Sequence, residues 1–154
     1  MHALVGTDGS KLSIAAARRG CDLVGADHVT LLTVVDEWMP DDDAGGIEGP
    51  VLSPEEQEEM RKRDLEVARA GLARTASALT GMQAQVEEKI EGGDPADVIC
   101  DVAEHLGVDV VIVGSHGRTG LGRLFLGSVS EHVVRHASCP VLVVRGAHAE
   151  HEAD

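Results

Sequence analysis

A glycine-rich segment at residues 114–128 carries the residues best suited to chemistry. Gly114-Ser115-His116-Gly117 is followed by nine residues and then by Gly127-Ser128. Glycines at 114 and 117 let the backbone approach a ligand closely and leave N–H groups that can point at an anion. Gly127-Ser128 stands at a predicted helix start, where unpaired N–H groups and the helix dipole favour phosphate. The spacing therefore predicts a phosphate-binding loop, to which Arg118 and Arg123 would add positive charge.

The same residues allow a second interpretation without a ligand. Ser128-x-x-Glu131 could be a capping box that begins a helix after a flexible loop. The P-loop pattern Gly-x-x-x-x-Gly-Lys-Ser/Thr is absent from the chain. The glycines at 117, 120 and 122 do not have the dinucleotide-binding order, and they follow the fourth predicted strand rather than the first. Neither of these two phosphate motifs therefore explains the segment.

Strands and helices alternate along the chain. Apolar runs predict strands at residues 3–5, 29–35, 84–90, 108–113 and 141–144. Helices are predicted between them, ending near residues 24, 79, 106 and 137, and the second begins with the capping box Ser53-Pro54-Glu55-Glu56. The apolar positions predict these buried helical faces: Leu12, Ala15, Ala16, Gly20, Leu23 and Val24 in the first helix, and Met60, Val67, Ala68, Gly71, Leu72, Thr75 and Leu79 in the second.

This order predicts an α/β fold with a parallel, doubly wound sheet and helices on both faces. Ligands of such sheets bind beyond the carboxyl ends of the strands, where the winding reverses. The third predicted strand alternates apolar and charged residues, which is typical of an edge strand with one solvated face. No internal boundary is visible, so we expect one domain at residues 1–146 and a short polar tail at 147–154.

Charge and composition narrow the possible partners. The 154 residues carry a net charge of -14, which disfavours nucleic acid and anionic membranes. A bound nucleotide would therefore need local backbone donors or a metal ion. The three cysteines are far apart and predict neither a disulfide framework nor a zinc site. With no signal peptide and no apolar run of about 20 residues, the sequence predicts a soluble, cytoplasmic protein.

Several separated motifs together resemble the universal stress protein family. The pattern Gly114-x2-Gly117-x9-Gly127-Ser128 is similar to the ATP-binding signature of that family, Gly-x2-Gly-x9-Gly-Ser/Thr, in every spacing. Thr7-Asp8-Gly9-Ser10 resembles the motif that ends the family's first strand, and Leu126-Gly127-Ser128-Val129 resembles its phosphate motif. Cys139-Pro140-Val141-Leu142-Val143-Val144 is similar to its closing strand. The resemblance covers nearly the whole chain except the acidic loop at residues 38–53.

The resemblance implies a five-stranded Rossmann-like sheet of the adenine nucleotide alpha hydrolase type, in the order 3-2-1-4-5. It implies that Asp8 and Val34 hold the adenosine part of ATP, and that Gly114 and Gly117 lie along the ribose and phosphates. Gly127, Ser128 and Val129 would then bind the phosphates. The implied site also includes the neighbouring motif residues Val113, His116 and Arg118. A divalent metal ion, Mg²⁺, would bridge phosphate oxygens rather than occupy a protein cage.

Alternatives stay open for individual residues. Asp8 could be only a turn residue that accepts a hydrogen bond from nearby backbone. His116 could act as a base or simply hold the loop. His132 and His136 have a spacing that can bind metal, but no third ligand is evident.

The resemblance also implies function and assembly. The family forms dimers through its last strand, so we expect a homodimer through residues 141–144, unless helices or the tail cover that edge. The predicted function is an ATP-binding sensor or regulator of the stress response, with a further protein partner possible. A slow ATPase using the same site and a nucleotide-independent interaction module are the alternatives.

Overall fold

The computed structural model describes residues 1–35, 52–115 and 126–145. The predicted acidic loop lies mostly outside these ranges, as does the predicted tail. The strands are β1 His2–Gly6, β2 His28–Val35, β3 Gln85–Gly92, β4 Val110–Gly114 and β5 Val141–Val144. The helices are α1 Lys11–Val24, α2 Pro54–Ala78, α3 Pro95–Leu106 and α4 Ser128–His136.

The five strands form one parallel sheet in the order β3-β2-β1-β4-β5. This confirms the predicted doubly wound α/β fold and its strand order. β1 is the central strand, and its Val5 lies opposite Leu31 of β2 and Ile112 of β4. The chain winds from β1 outward to β3 and then crosses back to β4, so the winding reverses between β1 and β4. A ligand crevice is expected at that reversal.

Two apolar cores lie on opposite faces of the sheet. One packs α1 and α2 onto the sheet through residues that include Ala17, Cys21 and Leu72. The other packs α3 and α4 onto the opposite face through Ile99 and Val133 among others. Both cores are built from aliphatic side chains, and neither contains Phe, Tyr or Trp within the described ranges.

Local sequence explains where three of the helices begin and where α1 ends. Ser10 caps α1 by accepting a hydrogen bond from the Ser13 N–H, and Gly25 ends that helix in the left-handed conformation with φ of 62°. The predicted capping box of Ser53 and Glu56 is present at the start of α2. Asp94 caps α3, with Pro95 in its first turn.

The predicted buried face of α1 was partly wrong. Ala16 and Gly20 are buried as expected, but Leu12 is 44% exposed and Leu23 is 65% exposed. The residues that contact the sheet side instead include Ser13 and Cys21. The face is rotated toward small side chains because α1 lies close to β4. A Cβ atom added to Gly20 would come within 2.5 Å of Ile112 Cγ2.

Helix α2 extends well past the carboxyl edge of the sheet. Its 25 residues span about 37 Å, whereas the eight residues of β2 span about 27 Å. Its buried residues lie only in the C-terminal half and are Ala68, Gly71, Leu72 and Thr75. Met60 and Val67 were predicted to be buried, but each is about half exposed because they precede the part that packs on the sheet.

Strand β3 is an edge strand, as its alternating pattern predicted. It begins one residue later than expected and continues to Gly92. Val86 and Ile90 pack on the core beneath the sheet, while Glu87 is exposed. Lys89 Nζ lies 2.6 Å from Glu91 Oε1, so the two side chains form an ion pair near the end of the strand.

A pair of histidines at the amino ends of β1 and β2 should make stability depend on pH. The rings of His2 and His28 stack with centroids 4.0 Å apart. Burial, and then the neighbouring His28, lower the pKa of His2, while Glu87 and Asp109 act in the opposite direction. The unfolded chain therefore takes up a proton at His2 before the folded chain does. As the pH falls below about 6.5, the free energy of unfolding should decrease.

We expect His2→Gln to weaken this pH dependence. The measurement is urea unfolding, followed by far-UV circular dichroism at pH 7.5 and pH 5.5. Replacement of the exposed His105 by Gln is the matched control for the loss of one imidazole. A His2→Gln variant that loses as much stability between the two pH values as the parent would contradict the assignment.

Candidate functional site

A cleft opens at the carboxyl ends of the strands, where the winding reverses. Its volume is about 450 Å³, and it is bordered by the ends of β1, β2 and β4 together with parts of all four helices. Seven of the ten residues predicted for the site line it: Asp8, Val34, Val113, Gly114, Gly127, Ser128 and Val129. The other three, His116, Gly117 and Arg118, lie outside the described residues. Sequence positions up to 121 residues apart are thus brought to one surface.

The loop after β1 forms the floor of the cleft. The Thr7 N–H donates to Leu32 O at 2.9 Å, and Thr33 Oγ1 donates to Thr7 O at 2.8 Å, so the loop is joined to β2. The Ser10 N–H donates to Asp8 Oδ1 at 2.9 Å. Asp8 therefore stabilises its own turn, as the alternative interpretation proposed. It also lines the cleft, so the two roles are compatible.

Helix α2 holds the same loop from the opposite side. Gly9 has φ of 71°, and a Cβ atom added there would lie 2.5 Å from the Cα of Gly71. Arg74 Nη2 also donates to Gly9 O at 3.2 Å. Only glycine combines this left-handed conformation with such a close approach of two backbones. The pair of Gly9 and Gly71 thus fixes the distance between α2 and the Asp8 loop.

The two ends of the glycine-rich segment are joined by hydrogen bonds. The Ser115 N–H donates to Val144 O at 3.0 Å, which continues the pairing of β4 with β5. The Gly127 N–H donates to Ser115 O at 2.7 Å, and Ser130 Oγ lies 3.3 Å from the same carbonyl oxygen. These contacts place the first turn of α4 beside the end of β4, at the wall of the cleft.

The start of α4 differs from that of the other three helices. Its N-cap is Gly127, which provides no side-chain hydrogen bond. Ser128 is the first helical residue rather than the cap, so the capping box proposed for Ser128 and Glu131 is wrong. Gly127 has φ of -64° and ψ of 157°, a conformation that any residue adopts. Backbone geometry therefore gives no reason for glycine here, where Ser, Asp or Asn would stabilise the helix.

The charge of the cleft is uneven. The residues that line it include the carboxylates of Asp8 and Asp64, and within the described ranges they include no lysine or arginine. Positive potential comes instead from the first turn of α4, where the backbone N–H groups of Ser128, Val129 and Ser130 begin the helix. An elongated ligand with an anionic end would place that end against α4. Its hydrogen-bond donors would lie toward the carboxylates.

Comparison with known proteins identifies the family. Residues 1–145 match the universal stress protein family. The chain belongs to that family. One universal stress protein of Methanocaldococcus jannaschii is 38% identical over 101 residues, which are 65% of this chain and 62% of that protein. A second one from the same organism is 30% identical over 148 residues, which are 92% of this chain and 80% of that protein. The chain thus spans about three fifths of the first relative's length.

Solved structures of universal stress proteins share the fold. UspA of Lactobacillus plantarum gives a TM-score of 0.73 at 26% identity, and the match covers 94% of this chain and 97% of that one. An Arabidopsis thaliana family protein with AMP bound gives 0.68 at 23% identity, covering 100% and 97%. A universal stress protein in complex with cAMP gives 0.61 at 24% identity, covering 94% and 96%.

Sequence reasoning missed part of the cleft of this universal stress protein. The unpredicted lining residues are Gly6, Thr7, Ser13, Leu32, Thr33, Val35, Asp64, Val67, Ala68, Pro95, Ile99, Ser115 and Ser130. Gly6 and Ser115 could have been found, because each adjoins the carboxyl end of a predicted strand that borders the reversal. No sequence signal marks Asp64, since its place depends on how far α2 extends beyond the sheet.

The histidine pair of α4 has contacts of its own. His132 Nε2 lies 2.9 Å from Asp97 Oδ1, which ties α4 to α3, and the His132 and His136 rings lie 4.1 Å apart. Within residues 1–35, 52–115 and 126–145, no group of three His, Cys, Asp or Glu side chains is arranged to hold a metal ion. In the same ranges, no helix has the length and apolar character needed to cross a membrane.

Proposed function

We propose that this universal stress protein binds ATP in the cleft between β1, β2 and β4. The observation that carries the proposal is the start of α4, where an uncapped helix with a glycine at its N-cap opens on the cleft. A side-chain cap would occupy N–H groups that a phosphate needs. Glycine at the N-cap forgoes the stabilisation that such a cap would give, at the place where the ligand would bind. The AMP and cAMP complexes of proteins with this fold support an adenine nucleotide as the ligand.

The proposed pose follows the uneven charge of the cleft. The phosphates lie at Gly127, Ser128 and Val129, and the adenosine lies toward Asp8 and Val34. The carboxylate of Asp8 can accept hydrogen bonds from donor groups of the adenosine, whereas it would repel phosphate. Gly114, the last residue of β4, lets the ligand pass close to the backbone.

Mg²⁺ fits this pose with phosphate oxygens of the nucleotide as its ligands. The described residues offer no cluster of three metal-binding side chains, and Mg²⁺ commonly binds through substrate phosphates and one or two carboxylates. Bound there, it would neutralise phosphate charge in a protein whose net charge is -14. No lysine or arginine among the described lining residues does so.

We further propose that the protein acts as a homodimeric regulator whose partner interactions depend on nucleotide. β5 lies at the edge of the sheet and pairs with β4 on one side, so a second chain could pair along residues Val141–Val144. Sedimentation would test the assembly, with the dimer expected at twice the chain mass of 16.1 kDa.

The test of ATP binding begins with the purified protein in magnesium-containing buffer. We expect denaturation and mass spectrometry to release an adenine nucleotide in a ratio near one per chain. Added Mg-ATP at 100 times its Kd should stabilise emptied protein by about 2.7 kcal/mol, because the ligand binds only the folded state. For a chain of this size, that raises Tm by roughly 5 to 10 °C. A chain that carries no nucleotide and shows no shift with ATP, ADP or AMP would refute the proposal.

A further inference from the structure

Three hydroxyl groups from separate parts of the chain meet beneath the Asp8 loop. Thr7 follows β1, Ser13 is in α1 and Thr75 is in α2, and their exposed fractions are 6%, 5% and 0%. Thr7 Oγ1 lies 3.0 Å from Ser13 Oγ and 3.1 Å from Thr75 Oγ1. Buried hydroxyl groups are costly unless they are hydrogen-bonded, so this cluster must be satisfied internally.

Two of the three hydroxyl groups in the cluster also donate to backbone carbonyl oxygens. Thr75 Oγ1 donates its single proton to Gly71 O at 2.8 Å, and Ser13 Oγ donates to Ser10 O at 3.0 Å. Because each hydroxyl has only one proton, Thr7 can donate to either Ser13 Oγ or Thr75 Oγ1, but not to both at once. Thr7 Oγ1 in turn accepts the N–H of Gly9 at 3.1 Å.

The cluster connects α2 to the loop that presents Asp8. Thr75 is one turn from Gly71, whose backbone contacts Gly9, and Arg74 donates to the Gly9 carbonyl. Gly9 is therefore held at its N–H through Thr7, at its Cα by Gly71 and at its carbonyl by Arg74. The residue immediately before it is Asp8, which lines the cleft.

We propose that Thr75 is a positioning residue for the adenosine end of the site. It acts through Thr7 and Gly9 on the conformation of Asp8, and it does not touch the ligand. The effect on affinity rests on the proposed function, whereas the effect on the loop does not. Restraining the loop before binding removes an ordering cost that the ligand would otherwise bear.

Thr75→Val tests the proposal because it keeps the side-chain shape and removes the hydroxyl. Loss of one buried hydrogen bond is worth on the order of 1 kcal/mol, so affinity for ATP should fall roughly five- to tenfold by calorimetry. Affinity for tripolyphosphate, which tests the α4 end alone, should be unchanged. Thr75→Ser should recover most of the ATP affinity.

The matched control is Thr30→Val. Thr30 is also a buried threonine, 3% exposed, and its hydroxyl bonds His2 Nε2 at 2.9 Å at the opposite end of the sheet. Both valine variants should lose stability, but only Thr75→Val should lose ATP affinity. Equal losses of ATP affinity in the two variants, or an equal loss for tripolyphosphate in Thr75→Val, would overturn the positioning role.

Amide hydrogen exchange tests the loop without any nucleotide. The Gly9 N–H should exchange several-fold faster in Thr75→Val than in the parent chain, and Thr30→Val should leave its rate unchanged. If the parent chain binds no ATP, the proposed function fails, and the Gly9 rate still decides the role of Thr75. An unchanged Gly9 rate would overturn that role whatever the binding result.

Discussion

Replacement of Gly127 by aspartate is expected to weaken ATP binding severely while leaving the folded chain at least as stable as before. Aspartate is a favoured N-cap residue, and Gly127 already has the extended backbone that such a cap uses. The new carboxylate would accept the N–H groups at the start of α4. The empty protein should therefore gain a few tenths of a kcal/mol.

The same carboxylate would stand where the phosphates are proposed to bind. Two unit charges about 4 Å apart repel by about 4 kcal/mol at the effective dielectric constant typical near a protein surface. Since about 1.4 kcal/mol corresponds to a factor of ten in Kd, the loss should be at least about 100-fold. Calorimetric titration with Mg-ATP measures this loss, and urea unfolding of the empty protein measures stability.

Gly127→Asn separates charge from occupancy of the N–H groups. Asparagine caps a helix about as well as aspartate but carries no charge, so its loss of affinity should be clearly smaller. If Gly127→Asp binds Mg-ATP as tightly as the parent chain, the phosphates do not bind at α4 and the proposed pose is wrong.

Gly9→Ala is expected to have the largest effect on stability. The residue has φ of 71°, which costs a non-glycine residue about 1–2 kcal/mol. The new Cβ would also lie 2.5 Å from the Cα of Gly71 and 3.0 Å from Arg74 Nη2. Overpacking of this kind costs roughly 1–3 kcal/mol, and here the obstacle is backbone that cannot rotate away. We expect a total loss of about 2–5 kcal/mol in the free energy of unfolding.

Gly25→Ala is the matched control for backbone conformation. Gly25 has φ of 62°, but nothing lies within 4 Å of an added Cβ. It should therefore lose only the conformational part, about 1–2 kcal/mol. Urea unfolding of both variants gives the difference. Equal losses would mean that the close approach of α2 to the Asp8 loop contributes little to stability.

The order of elements could be predicted because local patterns suffice for it. Apolar runs marked every strand, a capping box marked the start of α2, and the alternation of β3 predicted its edge position. The buried face of α1 could not be predicted from apolar residues alone, because the residues that pack there include Ser13. Its hydroxyl group is hydrogen-bonded to that of Thr7. Met60 is exposed because α2 is longer than the strands on which it packs, and no local pattern predicts that difference in length.

In the candidate site, too, some residues could be predicted from local patterns and others depend on the fold. The spacing of the glycines marked Gly114 and Gly127, whereas Asp8 was assigned to the site through the resemblance to the universal stress protein family. The contact of Gly9 with Gly71 joins positions 62 residues apart, and each glycine alone is unremarkable in sequence. Thr75 looked like part of an apolar face, and only the fold reveals that its hydroxyl reaches the Asp8 loop.

The aliphatic interior has a consequence for spectroscopy. The described cores lack Phe, Tyr and Trp, so no ring of these three types among the described residues shifts the methyl signals of Val34, Val113 and Ile99. An adenine base bound between these walls would introduce a strong ring current among them. Methyl NMR spectra would then locate the base directly, because the valine and isoleucine signals nearest its faces would move to high field while those in the other core stayed in place.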